Sequence, residues 1–193
     1  MKNLNSLTEA VHANALKHGW WENKPSTEHC LMLVVTEIAE MVEADRKGNV
    51  AVINHIRKQN NLAAAQKRRL TDDVDSAPDF IAAFDEMVKN TVEDEMADVV
   101  IRLLDLAGAF GLDFDKLTPN KYHRAFDRFS FTENAFALTK GLCRESINIF
   151  KRIQFGIHYM TLWAESQGVN LDWHVRAKMR YNVTRPYRHG KKY

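Results

Sequence analysis

The sequence predicts an all-α protein. Glycine and proline are scarce, with 8 and 4 among 193 residues. β-Branched residues rarely cluster, and apolar residues recur at three- and four-residue spacing almost throughout, which is the period of an α-helix.

Taken in order, the pattern predicts helices over roughly 4–18, 26–47, 78–90, 92–110, 132–154, 156–167 and 170–183. The first stops at Gly19 and the second at Gly48, residues that leave the helical region at little steric cost. Pro78 opens the third, and Gly111 closes the fourth. Pro119 interrupts the following stretch, and Gly168 separates the last two helices.

With 45% apolar residues the chain can bury a substantial core, as one domain over 1–193 or as two intertwined halves. The formal charge of +2 provides no strong overall field for nucleic acid or membrane, so neither is an expected partner. Cys30 and Cys143 lack the close Cys/Cys or Cys/His spacing of a zinc site or disulfide framework, which fits a reducing cytoplasm. The N-terminus has no apolar signal segment, and the apolar run 30–35 is too short to cross a bilayer.

Residues 49–90 differ from their surroundings and are read as an insertion. Arg57, Lys58, Lys67, Arg68 and Arg69 precede Asp72, Asp73, Asp75 and Asp79, while Ala63, Ala64 and Ala65 favour helix. A surface helical hairpin with a solvated charged face is expected, with no chemistry assigned to it.

The chain also contains a loose internal repeat. Gly111-Leu-Asp-Phe-Asp matches Gly168-Val-Asn-Leu-Asp, and the same offset of 57 residues pairs Lys121 with Lys178 and Arg128 with Arg185. Upstream, an offset of 105 pairs Thr27 with Thr132, Leu33 with Leu138 and Glu40 with Glu145. The two offsets differ by 48 residues, about the length of the insertion. The expected organisation is a first repeat over 1–128 and a degenerate second repeat over 129–193.

Two acidic pairs carry the chemistry. On a wheel of about 100° per residue, Cys30, Leu33, Met41 and Ala44 fall within about 40° of Glu37, so Glu37 points into an apolar face. Glu40 neighbours it one turn on. In the fourth helix, apolar residues from Val92 to Leu106 cover most of the circumference. Asp94, Glu95, Asp98, Arg102 and Asp105 share the remaining stripe, so the stripe is expected to line an internal cleft. Like charges at Asp94 and Asp98 disfavour the helix by about 0.2–0.5 kcal/mol unless a cation lies nearby.

Magnesium suits these oxygen ligands, because it is a hard ion that bridges carboxylates to substrate phosphates. Glu37, Glu40, Glu95 and Asp98 are therefore the candidate metal ligands and catalytic carboxylates. The alternative is a solvated stripe with an Asp98–Arg102 ion pair.

Glu37-Ile-Ala-Glu40 followed by Glu95-Met-Ala-Asp98-Val-Val resembles the paired acidic motif of MazG-like, all-α nucleotide pyrophosphohydrolases. The tail Lys178-Met-Arg-Tyr-Asn182-Val-Thr-Arg185-Pro is similar to the family's ending, and His18-Gly-Trp20-Trp21 to the start of related members. The resemblance covers most of 4–48, 92–118 and 170–191. It implies a helical bundle that cleaves a nucleoside triphosphate between the α- and β-phosphates, giving monophosphate and pyrophosphate. It also implies magnesium, with manganese as a substitute, and phosphate contacts from Lys178, Asn182 and Arg185.

The chain departs from the family in its long insertion and in placing the tail after a second helical segment. Duplication accounts for both. The second copy carries Leu142, Arg152 and Phe155 where the first has Glu37, Glu95 and Asp98, so it cannot hold the same cluster. The expectation is a covalent pseudo-dimer with one competent site, either monomeric or paired again as a homodimer. Acids come from the first half and the phosphate-binding tail from the second. Trp20 and His29 are candidate contacts for the base, against the plainer roles of core anchor and structural histidine. No Walker-type glycine loop or activated nucleophile occurs. A non-catalytic helical module binding nucleotide or nucleic acid through the basic tail is the alternative.

Overall fold

The computed structural model describes residues 1, 3–51, 77–118 and 120–192. They form seven α-helices: α1 (Leu4–Lys17), α2 (Thr27–Lys47), α3 (Ala77–Met87), α4 (Val92–Ala109), α5 (Phe131–Leu142), α6 (Ile149–Ser166) and α7 (Leu171–Val183). Short 3-10 turns occupy Phe114–Lys116, Phe126–Arg128 and Tyr187–Gly190, and no strand forms among the described residues. The all-α reading is correct.

Helix α4 is the axis of the bundle and packs against α1, α2, α6 and α7. Its Met96, Val99, Val100, Leu103, Leu104 and Ala107 are fully enclosed. Burying each large side chain here stabilises the fold by about 1.5–3 kcal/mol. Its start is set by Thr91, whose hydroxyl accepts from the Asp94 amide at 3.3 Å. Helix α2 starts where Ser26 Oγ accepts from the His29 amide, and ends at left-handed Gly48.

One expectation needs correction. The chain does not break near residue 155 but over 143–148, between α5 and α6. Asn148 caps α6 by accepting from the Phe150 amide at 2.8 Å, and Arg152 Nε donates to the Leu142 carbonyl at 2.6 Å. Gly156 lies inside α6. It is glycine for packing: a Cβ there would stand 2.7 Å from Leu103 Cδ1 and 2.8 Å from Leu142 Cδ2.

The final part of the insertion is α3, an amphipathic helix: Phe80, Phe84 and Met87 share one buried face that Val88 extends, while Ala82, Asp85 and Glu86 are exposed. That face packs on Ala177 and Tyr181 of α7, with the Phe84 and Tyr181 rings stacked at 4.6 Å. Tyr181 OH donates to Asp85 Oδ1 at 2.9 Å. Helix α3 therefore braces the helix that carries Lys178 and Asn182. The rest of the expected hairpin, over 52–76, and the break at Pro119 lie outside the described residues.

Candidate metal centre

Helices α2 and α4 face each other and bring Glu37, Glu95 and Asp98 together, each offering a carboxylate oxygen within 4.8 Å of the others. Glu40, one turn beyond Glu37, is exposed and borders the same cleft, outside this close group. Glu37 is buried, with Oε1 accepting from Arg102 Nε at 3.0 Å. Arg102 thus pairs with Glu37 rather than with Asp98 as in the solvated-stripe alternative.

Glu95 is 5% exposed, and its Oε2 has no hydrogen-bond partner among the described residues. Burial, then the charges of Asp98 and Asp94, push its pKa up to about 8. Burial and Asp98 also raise Glu37, against the opposing pull of Arg102. Burial and mutual repulsion thus favour the protonated carboxyls of this cluster, and a divalent cation would favour their charged forms.

Lys178 reaches this cluster from α7. Its Nζ lies 2.8 Å from both oxygens of Asp94 and 2.7 Å from Asp98 Oδ2. Lys178 and Asp94 are 5% and 1% exposed. Burial works against the ammonium, but Asp98 and Asp94 outweigh it and hold the Lys178 pKa above its ordinary value. Asp94 also accepts from the Asn90 amide at 3.0 Å. Lys178 is therefore tied to carboxylates while it also borders the acidic cleft. It fixes Asp98 through Oδ2.

Asn182 follows one turn after Lys178, 5% exposed and with Oδ1 unpartnered among the described residues. Arg185 lies just past α7, anchored where its carbonyl accepts from His18 Nε2 at 3.0 Å. Its guanidinium makes no ion pair among the described residues. Both border the cleft of ≈ 220 Å³ that contains the four acids. The tail does return to the acids, across the bundle.

The end of the tail is docked against the α1–α2 loop. Arg188 Nε donates to the Gly19 carbonyl at 3.1 Å, and its backbone amide to the His18 carbonyl at 3.0 Å. Gly19, at φ +77°, permits the approach: a Cβ there would sit 2.1 Å from the Tyr187 ring.

Trp20 borders the acidic cleft and also a neighbouring cavity of ≈ 310 Å³. The Arg102 guanidinium sits 5.1 Å from its ring centroid. His29 borders only the second cavity. Trp20, Arg102 and Asp105 form the wall common to both. Sequence reasoning placed Asp94 and Asp105 on the acidic stripe but assigned them no role. Their signal was an acid on a helix otherwise apolar nearly all round.

No family model, curated protein sequence or solved structure matches this chain.

Proposed function

We propose that the chain is a magnesium-dependent nucleoside triphosphate pyrophosphohydrolase, with manganese as a substitute ion. The observation that carries this reading is the convergence of Glu37, Glu95 and Asp98, with the unpartnered Glu95 Oε2 among them. Their oxygens are the donor set that magnesium takes, and Glu40 stands at the open side. The resemblance of the paired acidic motifs supports the same activity.

Magnesium held there would lower the pKa of a bound water and neutralise phosphate charge. The chain's own residues supply the rest. Arg185 can bind two phosphate oxygens at once. Asn182 can donate through its amide nitrogen while Lys178 holds Asp98 in place. One glutamate of the cluster would accept the proton of the attacking water. Trp20 and His29 border space for the base beyond Arg102. The products would be a nucleoside monophosphate and pyrophosphate.

The pseudo-dimer belongs to the same proposal. An offset of 57 residues carries α4 onto α6 end to end, and Gly111 and Gly168 close them in the same left-handed conformation. Only the first copy retains the acids, so the proposal has one site. No helix among the described residues is long and apolar enough to cross a membrane. Both cysteines are free, which accords with the proposed cytoplasmic location.

The test is a screen of nucleoside triphosphates with magnesium, quantifying monophosphate and pyrophosphate together. Stoichiometric release, lost in Asp98→Asn and without magnesium, is expected. Orthophosphate as the product, or full turnover by Asp98→Asn, would sink the reading.

A further inference from the structure

The wall between the two cavities contains a carboxylate held on one side only. Asp105 Oδ1 accepts from His12 Nδ1 at 2.7 Å and from Trp21 Nε1 at 2.9 Å. Oδ1 is the acceptor in both contacts, and the nitrogens donate. The two rings meet edge to face with centroids 5.3 Å apart. His12 gains its position because residue 108 in α4 is glycine: a Cβ there would lie 2.5 Å from His12 Cβ. Glycine inside a helix costs about 1 kcal/mol relative to alanine, and here its absent side chain admits His12. Asp105 Oδ2 has no hydrogen-bond partner among the described residues. The side chain is 16% exposed, bordering both cavities.

We propose that Asp105 is a specificity-determining residue that reads the nucleobase, selecting bases of the cytosine or adenine type through their exocyclic amino group. The inference rests on the nucleotide reading above. With Oδ1 occupied by two donors, the carboxylate presents one acceptor to the cavity. An amino group satisfies it. A ring carbonyl in the same place sets lone pairs against Oδ2 and leaves that oxygen desolvated. Arg102, three residues earlier on α4, uses Nε for Glu37, and its terminal nitrogens have no hydrogen-bond partner among the described residues. They can donate to the ring nitrogen beside the amino group. Acceptor nitrogen next to amino donor is the edge of cytosine and adenine. On its Watson–Crick edge guanine instead sets a ring N–H beside its amino group, which opposes Arg102, and its acceptor N3 on the other side lies towards the sugar. A cavity of ≈ 310 Å³ bordered by Trp20 and Trp21 provides room and ring faces for either heterocycle.

The experiment compares substrates that differ only in amino against oxo: CTP with UTP, and ATP with ITP. The unaltered protein should favour the amino member by about tenfold or more in kcat/KM in at least one pair. Asp105→Asn provides the decisive variant. Its amide oxygen stays with the His12 and Trp21 donors, so its NH2 occupies the place of Oδ2, and the preference should reverse towards the oxo base. Ratios near unity in both pairs, or an unchanged ratio in a folded Asp105→Asn, overturn the inference and leave the pyrophosphohydrolase reading standing. If no triphosphate is turned over, that reading fails. The base inference is then decided by tryptophan quenching with nucleosides: cytidine or adenosine binding more tightly than uridine or inosine supports it, and equal or absent quenching overturns it.

Discussion

Lys178 Nζ lies 2.7 Å from Asp98 Oδ2, so a residue of the last helix holds a carboxylate of the central one. Asp94 completes the arrangement at 2.8 Å and is almost fully buried. The ammonium thus offsets two acids on consecutive turns of α4, the pair whose mutual repulsion the sequence exposes.

Removing that ammonium should destabilise the protein. Lys178→Met leaves Asp94 buried and uncompensated, and the loss expected from urea unfolding is about 3–5 kcal/mol. Adding Asp94→Leu to Lys178→Met should recover much of it. An unaltered unfolding midpoint in the single variant would contradict the buried pair.

Glu95 gives a stability profile with a definite sign. Its pKa is raised from 4.5 to about 8 on folding, so the unfolded chain releases its proton first. With chelator present, this group's contribution to stability should fall as pH rises from 4.5 towards about 8. Glu95→Gln should flatten that part of the Tm profile. Because a metal binds the deprotonated form, stabilisation by magnesium should grow over the same interval. A magnesium shift independent of pH would separate Glu95 from the metal.

Phe84 tests the brace that α3 provides. Phe84→Ala removes a fully enclosed ring stacked on Tyr181 and should cost about 3–5 kcal/mol. Since Tyr181 adjoins Asn182, the KM for a nucleotide substrate should also rise. Stability loss with unchanged KM would restrict α3 to a purely structural role.

Arg185→Gln tests phosphate binding without disturbing a buried ion pair. A rise in KM for triphosphate with a nearly unchanged Tm is expected. An unchanged KM would remove Arg185 from the site.

Gly156→Ala examines the α4–α6 contact. The added methyl meets Leu103 and Leu142, both enclosed, at under 3 Å. Overpacking of this kind costs about 1–3 kcal/mol, more than the ~1 kcal/mol gained in helix propensity. A higher Tm in this variant would mean that the two leucines can move aside.

Several elements were legible because their signals are local. The period of apolar residues marks α1, α2, α4 and α7 to within one or two residues, and the scarcity of helix breakers excludes a sheet protein. The break between the fifth and sixth helices was misplaced, since apolar spacing runs on through 143–148 and does not mark where one helix stops and the next begins. Asn148, whose side chain caps α6, was the local signal for the true start. At the site, Glu37, Glu95 and Asp98 were recognisable by spacing and order. Lys178 was recognisable as a site residue, but its partners, Asp94 and Asp98, lie 84 and 80 positions away, beyond any local pattern.

By itself the sequence determined that the chain is helical, that α4 is buried nearly all round, and that its polar stripe must face something other than open water. Periodicity and the cost of unpaired buried charge are enough for that. Only the tertiary structure decided which charges meet: Arg102 with Glu37, Lys178 with Asp94 and Asp98, and Asp105 with His12 and Trp21. It also separated His29 from the acids by the wall of Trp20, Arg102 and Asp105. A helical wheel gives the direction in which a side chain points, but its partner depends on how helices distant in sequence pack together. That packing rests on shape, on contacts such as Gly108 with His12 and Gly156 with Leu103, which no single helix encodes.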